Sequence, residues 1–223
     1  MGGVVVVLLF GPPGCGKGTQ AVLVARQLGI PAVSTGDIFR AHIKGGTPLG
    51  RQVSAIMASG GLVGDDLVNQ VVTGRLTEPD CGGGVLLDGY PRTVPQAEYL
   101  DQYLAGHGIS SPLVLHLDVP ASVLVRRLSS RRQCSKCSRI YNLLFQPPKQ
   151  EGLCDDDGEP LTHRKDDTEE VITERLRAYE EQTGPLIGYY KPRAGYCWID
   201  GNRPPEEISL EISRLVAEAF GRK

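Results

Sequence analysis

Apolar residues in this chain fall in short dense blocks separated by longer mixed segments. Five blocks read as buried parallel strands: residues 3–10, 31–34, 84–88, 112–118 and 196–200. Each is short, apolar and ended by Gly, Asp, Ser or Pro. Helical periodicity fills the intervals, beginning with Ala21–Leu28. Strand–helix alternation of this kind predicts an α/β protein with a central five-stranded parallel sheet. Ligands of such sheets bind beyond the carboxyl ends of the strands, where Ser34, Asp88, Asp118 and Asp200 fall.

Two stretches break the alternation. Residues 35–63 read as a small helical insertion broken at Gly45-Gly46-Thr47-Pro48. Residues 126–166 carry a β-like run, Ile140–Phe145, then Pro147-Pro148, and read as a separate minidomain inserted before a helix that starts near Asp167. A structureless loop of that length is not expected inside a compact domain. Gly82-Gly83-Gly84 reads as a tight lead into the third strand, and His116 as a core-strand residue.

With 223 residues, 22% charged and 40% hydrophobic, the chain is long enough for one substantial core plus insertions. A net charge of −2 gives no global pull toward nucleic acid or membrane. The apolar run 4–10 is too short to span a bilayer and lacks a basic leader, so cytoplasm is the expected compartment. Six cysteines, unevenly spaced, do not make a secreted disulfide framework.

The strongest chemical signal follows the first strand. Gly11-Pro12-Pro13-Gly14-Cys15-Gly16-Lys17-Gly18-Thr19-Gln20 stands between an apolar strand and a helix, the context of a phosphate-binding P-loop. Its glycines let backbone N–H groups converge on one phosphate, the helix start adds partial positive charge, and Lys17 reaches the outer phosphates. Gly18 occupies the position where most P-loops carry the magnesium-binding Ser or Thr, with Thr19 one place later. A magnesium ion is therefore expected on substrate phosphates and water, with acids behind the water. Cys15 is expected to be incidental.

A second signal is metal spacing. Cys134 and Cys137 form a Cys-x2-Cys pair, and Cys154 and Asp157 repeat the two-residue gap. Four such ligands can close a tetrahedral structural zinc site, and the ion would replace a core that so small an insertion cannot build. Asp155, Asp156 and His163 stand near enough in sequence to leave the fourth ligand open. Cys81 and Cys197 have no such spacing.

Arg40, Arg92, Arg127, Arg131, Arg164 and Arg175 lie where helices or loops meet the strand ends or border the insertions. With the P-loop, Ser34-Thr35-Gly36-Asp37, Asp88-Gly89-Tyr90-Pro91-Arg92-Thr93, the cysteine spacing and Arg164-Lys165-Asp166-Asp167, the chain resembles the long-form, zinc-containing adenylate kinases over nearly its whole length. The resemblance implies a P-loop core (1–34, 65–125, 167–223), an AMP-binding insertion (35–64) and a zinc lid (126–166). It implies a monomer with magnesium-dependent, reversible phosphoryl transfer from ATP to AMP, giving two ADP. Carried over by position, Gly14, Cys15, Gly16, Lys17, Gly18 and Thr19 would cradle the ATP phosphates, and Arg127, Tyr141 and Arg203 would meet the rest of that nucleotide. Thr35, Arg40, Gly89, Arg92 and Gln96 would hold AMP, Gln96 at the adenine edge. Lys17, Arg131, Arg164 and Arg175 would surround the transferred group, Arg164 and Arg175 also reaching AMP. Asp88 would accept from magnesium-bound water, while Asp166 and Asp167 orient arginines. Tyr90 and Gly64 stand where the family often has Phe and Pro.

The rival readings are another nucleoside monophosphate kinase or a GTP-using one, and a nucleotide-sensing module that binds without turnover. The intact Lys17 and arginine set argue against the module. Nucleic-acid binding by the Arg126–Arg139 cluster is disfavoured because no aromatics are interleaved among those arginines.

Overall fold

The computed structural model describes residues 4–109 and 111–221. Gly3, the first residue of the first expected strand, lies outside them, as do the extreme ends of the expected core segments. Val5–Phe10 (β1), Ala32–Ser34 (β2), Gly84–Asp88 (β3), Leu113–Asp118 (β4) and Tyr196–Asp200 (β8) form a five-stranded parallel sheet in the order β2-β3-β1-β4-β8. The chain leaves β1 for one edge, returns through β3, then crosses to the other side of β1 at β4. That switch of direction opens a crevice at the carboxyl end of β1, where parallel α/β sheets bind ligands.

Every residue of β1 is buried, because β1 is covered on both faces and paired on both sides: Val7 lies opposite Leu86 and Leu113. Side chains alternate between two cores. Val6, Leu8 and Phe10 pack with Phe39 of α2 (Thr35–Lys44), Val53 of α3 (Pro48–Ala58), Val72 of α4 (Asp65–Leu76) and Leu100 of α5 (Val94–Gly106). Val5, Val7 and Leu9 pack with Val24 of α1 (Lys17–Leu28), Leu124 of α6 (Ala121–Ser129) and Ile212 of α9 (Pro205–Phe220).

The break inside residues 35–63 has a local cause. Thr47 caps α3 by accepting from the Gly50 N–H at 3.1 Å, and Pro48 fills the first helical position, where no N–H is needed. After the second insertion the chain re-enters helix as α7 (Glu169–Ala178), continuing through a π turn at Tyr179–Thr183 to α8 (Pro185–Tyr190).

The second insertion holds its own antiparallel sheet, β5 (Arg131–Cys134), β6 (Ile140–Asn142) and β7 (Leu161–Thr162), in the order β6-β5-β7. The expected β run to Phe145 stops three residues early. The Asn142 side chain accepts from the Leu144 and Phe145 N–H groups at 3.0 and 3.1 Å, turning the backbone out of the sheet. Cys81 is buried and Cys197 half-buried, as small packing residues.

His116, in β4, is buried; its ring stacks on Phe10 with centroids 4.3 Å apart and its Nδ1 lies 2.7 Å from the Tyr196 hydroxyl. Its Nε2 has no partner among the described residues. Burial pushes its pKa down from 6.5 to about 4, with Asp118 opposing. The unfolded chain therefore binds a proton that the folded one refuses between these values, so stability should fall as pH drops from 6.5 toward 4. The loss expected from this group is on the order of 2–3 kcal/mol. Urea midpoints at several pH values should show a shallower slope in this window for His116→Phe than for the parent protein.

Candidate active site

The P-loop forms because its geometry excludes side chains at its start. A Cβ on Gly11 would sit 2.2 Å from the Leu117 carbonyl oxygen, and Gly16, which precedes α1, has φ 104°. The loop therefore closes against β4 and turns directly into the helix N-terminus. Lys17 Nζ donates to the carbonyls of Gly11 at 2.6 Å and Pro12 at 2.9 Å, which curls the lysine back over the loop. Cys15 is buried beneath it, its Sγ 3.6 Å from Nζ.

One cleft of about 700 Å³ runs from this loop to residues 60–63 and to the second insertion. Gly14 through Thr19, Thr35, Arg40, Asp88, Gly89, Arg92, Gln96, Arg127, Arg131, Tyr141, Arg164, Arg175 and Arg203 all line it. Residues spread over almost the whole sequence thus converge on one cavity, as the motifs require.

The cleft has two cationic ends and a bridge between them. At one end Lys17 faces Asp88, whose carboxyl is pushed up by burial and pulled back by Lys17 and Arg92. At the other, the half-buried Arg92 donates through Nε to the Gly89 carbonyl at 2.8 Å, and Thr35 donates to the same carbonyl at 2.9 Å. Arg40 is held by Asp37 at 2.5 Å. Burial lowers the pKa of Arg92, and Arg40 and Arg164 lower it further, while Asp88 opposes them. The bridge is an arginine–aspartate lattice. Asp167, fully buried, accepts from Arg131 at 2.5 and 2.8 Å and from Arg175 at 2.8 Å. Asp166 accepts two bonds from Arg164, at 2.8 and 3.0 Å. Burial raises the Asp166 pKa, but Arg164 and Arg175 outweigh it and hold the carboxyl well below the usual range. Burial lowers the Arg175 pKa to about 10, leaving it charged at neutral pH.

Some placements add to the sequence reading. Arg127 donates to the Gly201 carbonyl at 2.9 Å, which joins it to the segment that carries Arg203. Arg203 in turn pairs with Glu211. The ring of Phe145 lies 5.9 Å from both the Arg126 and Arg127 guanidinium carbons. An aromatic therefore does meet those arginines in space, although none is interleaved with them in sequence; the tight turn after Asn142 brings it there. Tyr141 is buried, with its hydroxyl 3.4 Å from Cys154 Sγ and accepting from the Asp155 N–H at 2.7 Å. Its polar end thus serves the cysteine cluster even though the residue borders the cleft. The Tyr90 hydroxyl, extra relative to a Phe, donates to Asn69 Oδ1 at 2.6 Å inside the core. Gly64 precedes α4 at φ −58°, a conformation open to other residues.

Cys134, Cys137, Cys154 and Asp157 come together with all candidate ligand atoms within 4.8 Å of one another. Cys137 and Cys154 Sγ are 3.6 Å apart, and Cys134 Sγ lies 3.4 Å from both Asp157 oxygens. Tetrahedral zinc with Zn–S bonds of about 2.3 Å spaces sulfurs by roughly 3.8 Å, so the donor set fits that ion. The Lys136 and Cys137 N–H groups each donate to Cys134 Sγ at 3.4 Å. The other carboxylates are engaged elsewhere: Asp155 accepts from the Lys149 N–H, and Asp156 pairs with Arg139. His163 is exposed and not in the cluster.

The family model described as adenylate kinase matches residues 9–195. A protein named adenylate kinase from Symbiobacterium thermophilum is 46% identical over 94% of this chain and 97% of its own length. Those from Methanothrix thermoacetophila and Trichlorobacter lovleyi are 46% and 47% identical, each over 95% of this chain and over 98% and 99% of their own lengths.

Removing a partner from a buried ion pair strands the remaining charge. Asp167→Ala should therefore destabilise the protein by about 3–5 kcal/mol, read as a lower denaturation midpoint, whereas Asp155→Ala should change it far less.

Proposed function

The chain belongs to the adenylate kinase family, and from that premise we propose that it catalyses the reversible, magnesium-dependent transfer of a phosphoryl group from ATP to AMP, giving two ADP. The observation that carries this reading is the single cleft, in which a P-loop and a separate Arg40/Arg92 cradle are bridged by Arg131, Arg164 and Arg175. A hydrolase needs one phosphate site; transfer between two nucleotides needs two, brought in line with water kept out. In this reading the chain divides into a core (1–34, 65–125, 167–223), an AMP insertion (35–64) and a zinc lid (126–166).

The backbone of Gly14–Thr19 and Lys17 hold the donor phosphates. Arg127 packs on the donor base, supported by the turn that carries Phe145, and the backbone beside Arg203 closes that side. Arg40 and Arg92 hold the acceptor phosphate, while Thr35, Gly89 and Gln96 fix its nucleoside. Phosphoryl transfer needs little covalent help from the protein; it needs positioning and stabilisation of charge as it moves. Arg131, Arg164 and Arg175 supply that charge, already oriented by Asp166 and Asp167, so little reorganisation is left for the reaction itself. Magnesium, when bound, neutralises phosphate charge. Asp88 stands beside the loop, where it would accept from magnesium-bound water: a Cβ on Gly18 would lie 3.8 Å from its Oδ2. Closure of the lid over the cleft would exclude water. A cytoplasmic monomer serving adenine nucleotide balance completes the proposal, on the family resemblance.

The test is a coupled ADP-forming assay with ATP and each of AMP, CMP, UMP and GMP; AMP should be used far better than the others. Lys17→Met should lose about a thousandfold or more in turnover while its melting curve is retained. Turnover within tenfold of the parent would rule out the role given to Lys17.

We assign zinc a structural role, since four protein ligands leave no open position for water. One equivalent should be found by elemental analysis of protein purified without chelator. A chelator, or Cys137→Ser, should lower the melting temperature while part of the activity survives in the cold. Protein that is metal-free and melts identically with and without added zinc would sink this assignment.

A further inference from the structure

An amide side chain that reads a base is ambiguous, because rotating it by half a turn exchanges its donor and acceptor. In the proposed site that reader is Gln96, buried at the cleft wall. Its Oε1 accepts from the Arg92 backbone N–H at 2.8 Å, and its Nε2 donates to Asp65 Oδ1 at 2.7 Å. A backbone N–H only donates and a carboxylate only accepts, so both partners fix the same orientation. Asp65 is itself held in place: its Oδ2 accepts from the Thr93 hydroxyl at 3.0 Å, and that hydroxyl accepts from the Gln96 N–H at 3.2 Å. Asp65 is the first residue of α4, 31 positions from Gln96, and is not among the residues that line the cleft.

We propose that Asp65 is a specificity-determining positioning residue, which locks the Gln96 amide in the orientation that accepts a 6-aminopurine and rejects a 6-oxopurine. After its two internal bonds the amide keeps one N–H and one oxygen lone pair for a ligand. Adenine offers an amino donor at position 6 beside an acceptor at N1, which matches that pair. Hypoxanthine and guanine offer an oxo acceptor at position 6 beside an N1–H donor, which matches only the rotated amide. Rotation would set the amide NH2 against the Arg92 N–H and the amide oxygen against the Asp65 carboxylate. It thus exchanges two hydrogen bonds, made by a buried amide to half-buried partners, for two like-with-like contacts. A site whose buried polar groups are left unpaired by the wrong ligand discriminates far more strongly than one relying on shape. The inference rests on the reading of Gln96 as the base-contacting side chain.

IMP is the sharpest probe, since it differs from AMP only at the position-6 group and the N1 proton. The experiment measures kcat/KM for AMP and for IMP, with ATP as donor, in the parent, Asp65→Asn, Asp65→Ser and Gln96→Ala. Calorimetric ATP affinity and melting curves are measured alongside. Asp65→Asn keeps size and shape but can offer an N–H to the rotated amide, removing one of the two locks. The preference for AMP over IMP should fall by about tenfold or more in Asp65→Asn and Asp65→Ser, with IMP use rising in absolute terms and ATP affinity unchanged. A merely structural role would lower both acceptors together and leave their ratio alone. An AMP:IMP ratio within twofold of the parent in folded Asp65 variants, alongside a collapsed ratio in Gln96→Ala, would overturn the role of Asp65 alone. An unchanged ratio in Gln96→Ala would overturn the reading of Gln96 itself.

Discussion

Like charges crowded into a cavity oppose one another, and this cleft gathers Lys17, Arg40, Arg92, Arg131, Arg164 and Arg175. Partial burial lowers the pKa of Arg92 and Arg175, and neighbouring arginines lower it further. The fold answers it with carboxylates that serve several arginines at once. Asp167 bridges Arg131 and Arg175, one from the start of the second insertion and one from the helix that follows it. Asp166 holds Arg164 and lies within reach of Arg175. Each carboxylate both offsets charge and fixes a guanidinium plane. Such a lattice keeps the cleft cationic enough to attract polyanionic nucleotides without letting the arginines swing away from it.

The parallel sheet makes this possible because it is rigid where the chemistry is. With β1 buried on both faces, the loop that leaves it cannot shift without disturbing two cores. The P-loop and the Asp88 turn emerge from the adjacent strands β1 and β3, and the turn after β8 leaves the same sheet beyond β4. The insertions are built differently. Among the described residues, the second insertion has a buried cluster of just Cys134, Tyr141 and Cys154, with Leu161 against it. So small an apolar area supplies little rigidity of its own.

The legibility of the site followed the range of its interactions. The inner strands β1, β3 and β4 were readable because a strand buried on both faces is a continuous apolar run, whereas β2 and β8 at the edges are only partly buried; the P-loop was readable because its motif is contiguous in sequence. The fourth metal ligand stayed open in sequence, since Asp155, Asp156 and Asp157 are adjacent. In space Asp157 is the one of the three that stands with the cysteines, while the Lys149 N–H and Arg139 engage Asp155 and Asp156. The strand end at Asn142 was hidden for a related reason. Ile140–Phe145 has a fair β pattern, and only the side-chain bonds of Asn142 stop it. Asp65 carries no local signal, since its meaning lies in a bond to a residue 31 positions away.

The turn at Asn142 also explains how a metal cluster far along the chain bears on the nucleotide cleft. Asn142 pairs with Arg131 across β5 and β6, and its Nδ2 donates to the Arg127 carbonyl at 2.9 Å. The neighbouring Tyr141 pairs with Arg132 and reaches back with its hydroxyl to Cys154. Consecutive residues of one short strand therefore touch Cys154 of the cysteine cluster on one side and the arginine-bearing segment on the other. In a sheet this small, a strand that loses its anchor loses its register, and register is what sets Arg131 against Asp167. The cysteine cluster thus bears on more than its own insertion: it supports the β5–β6 pairing that delivers Arg131 to the cleft, though an ion bound there would stand outside the chemistry.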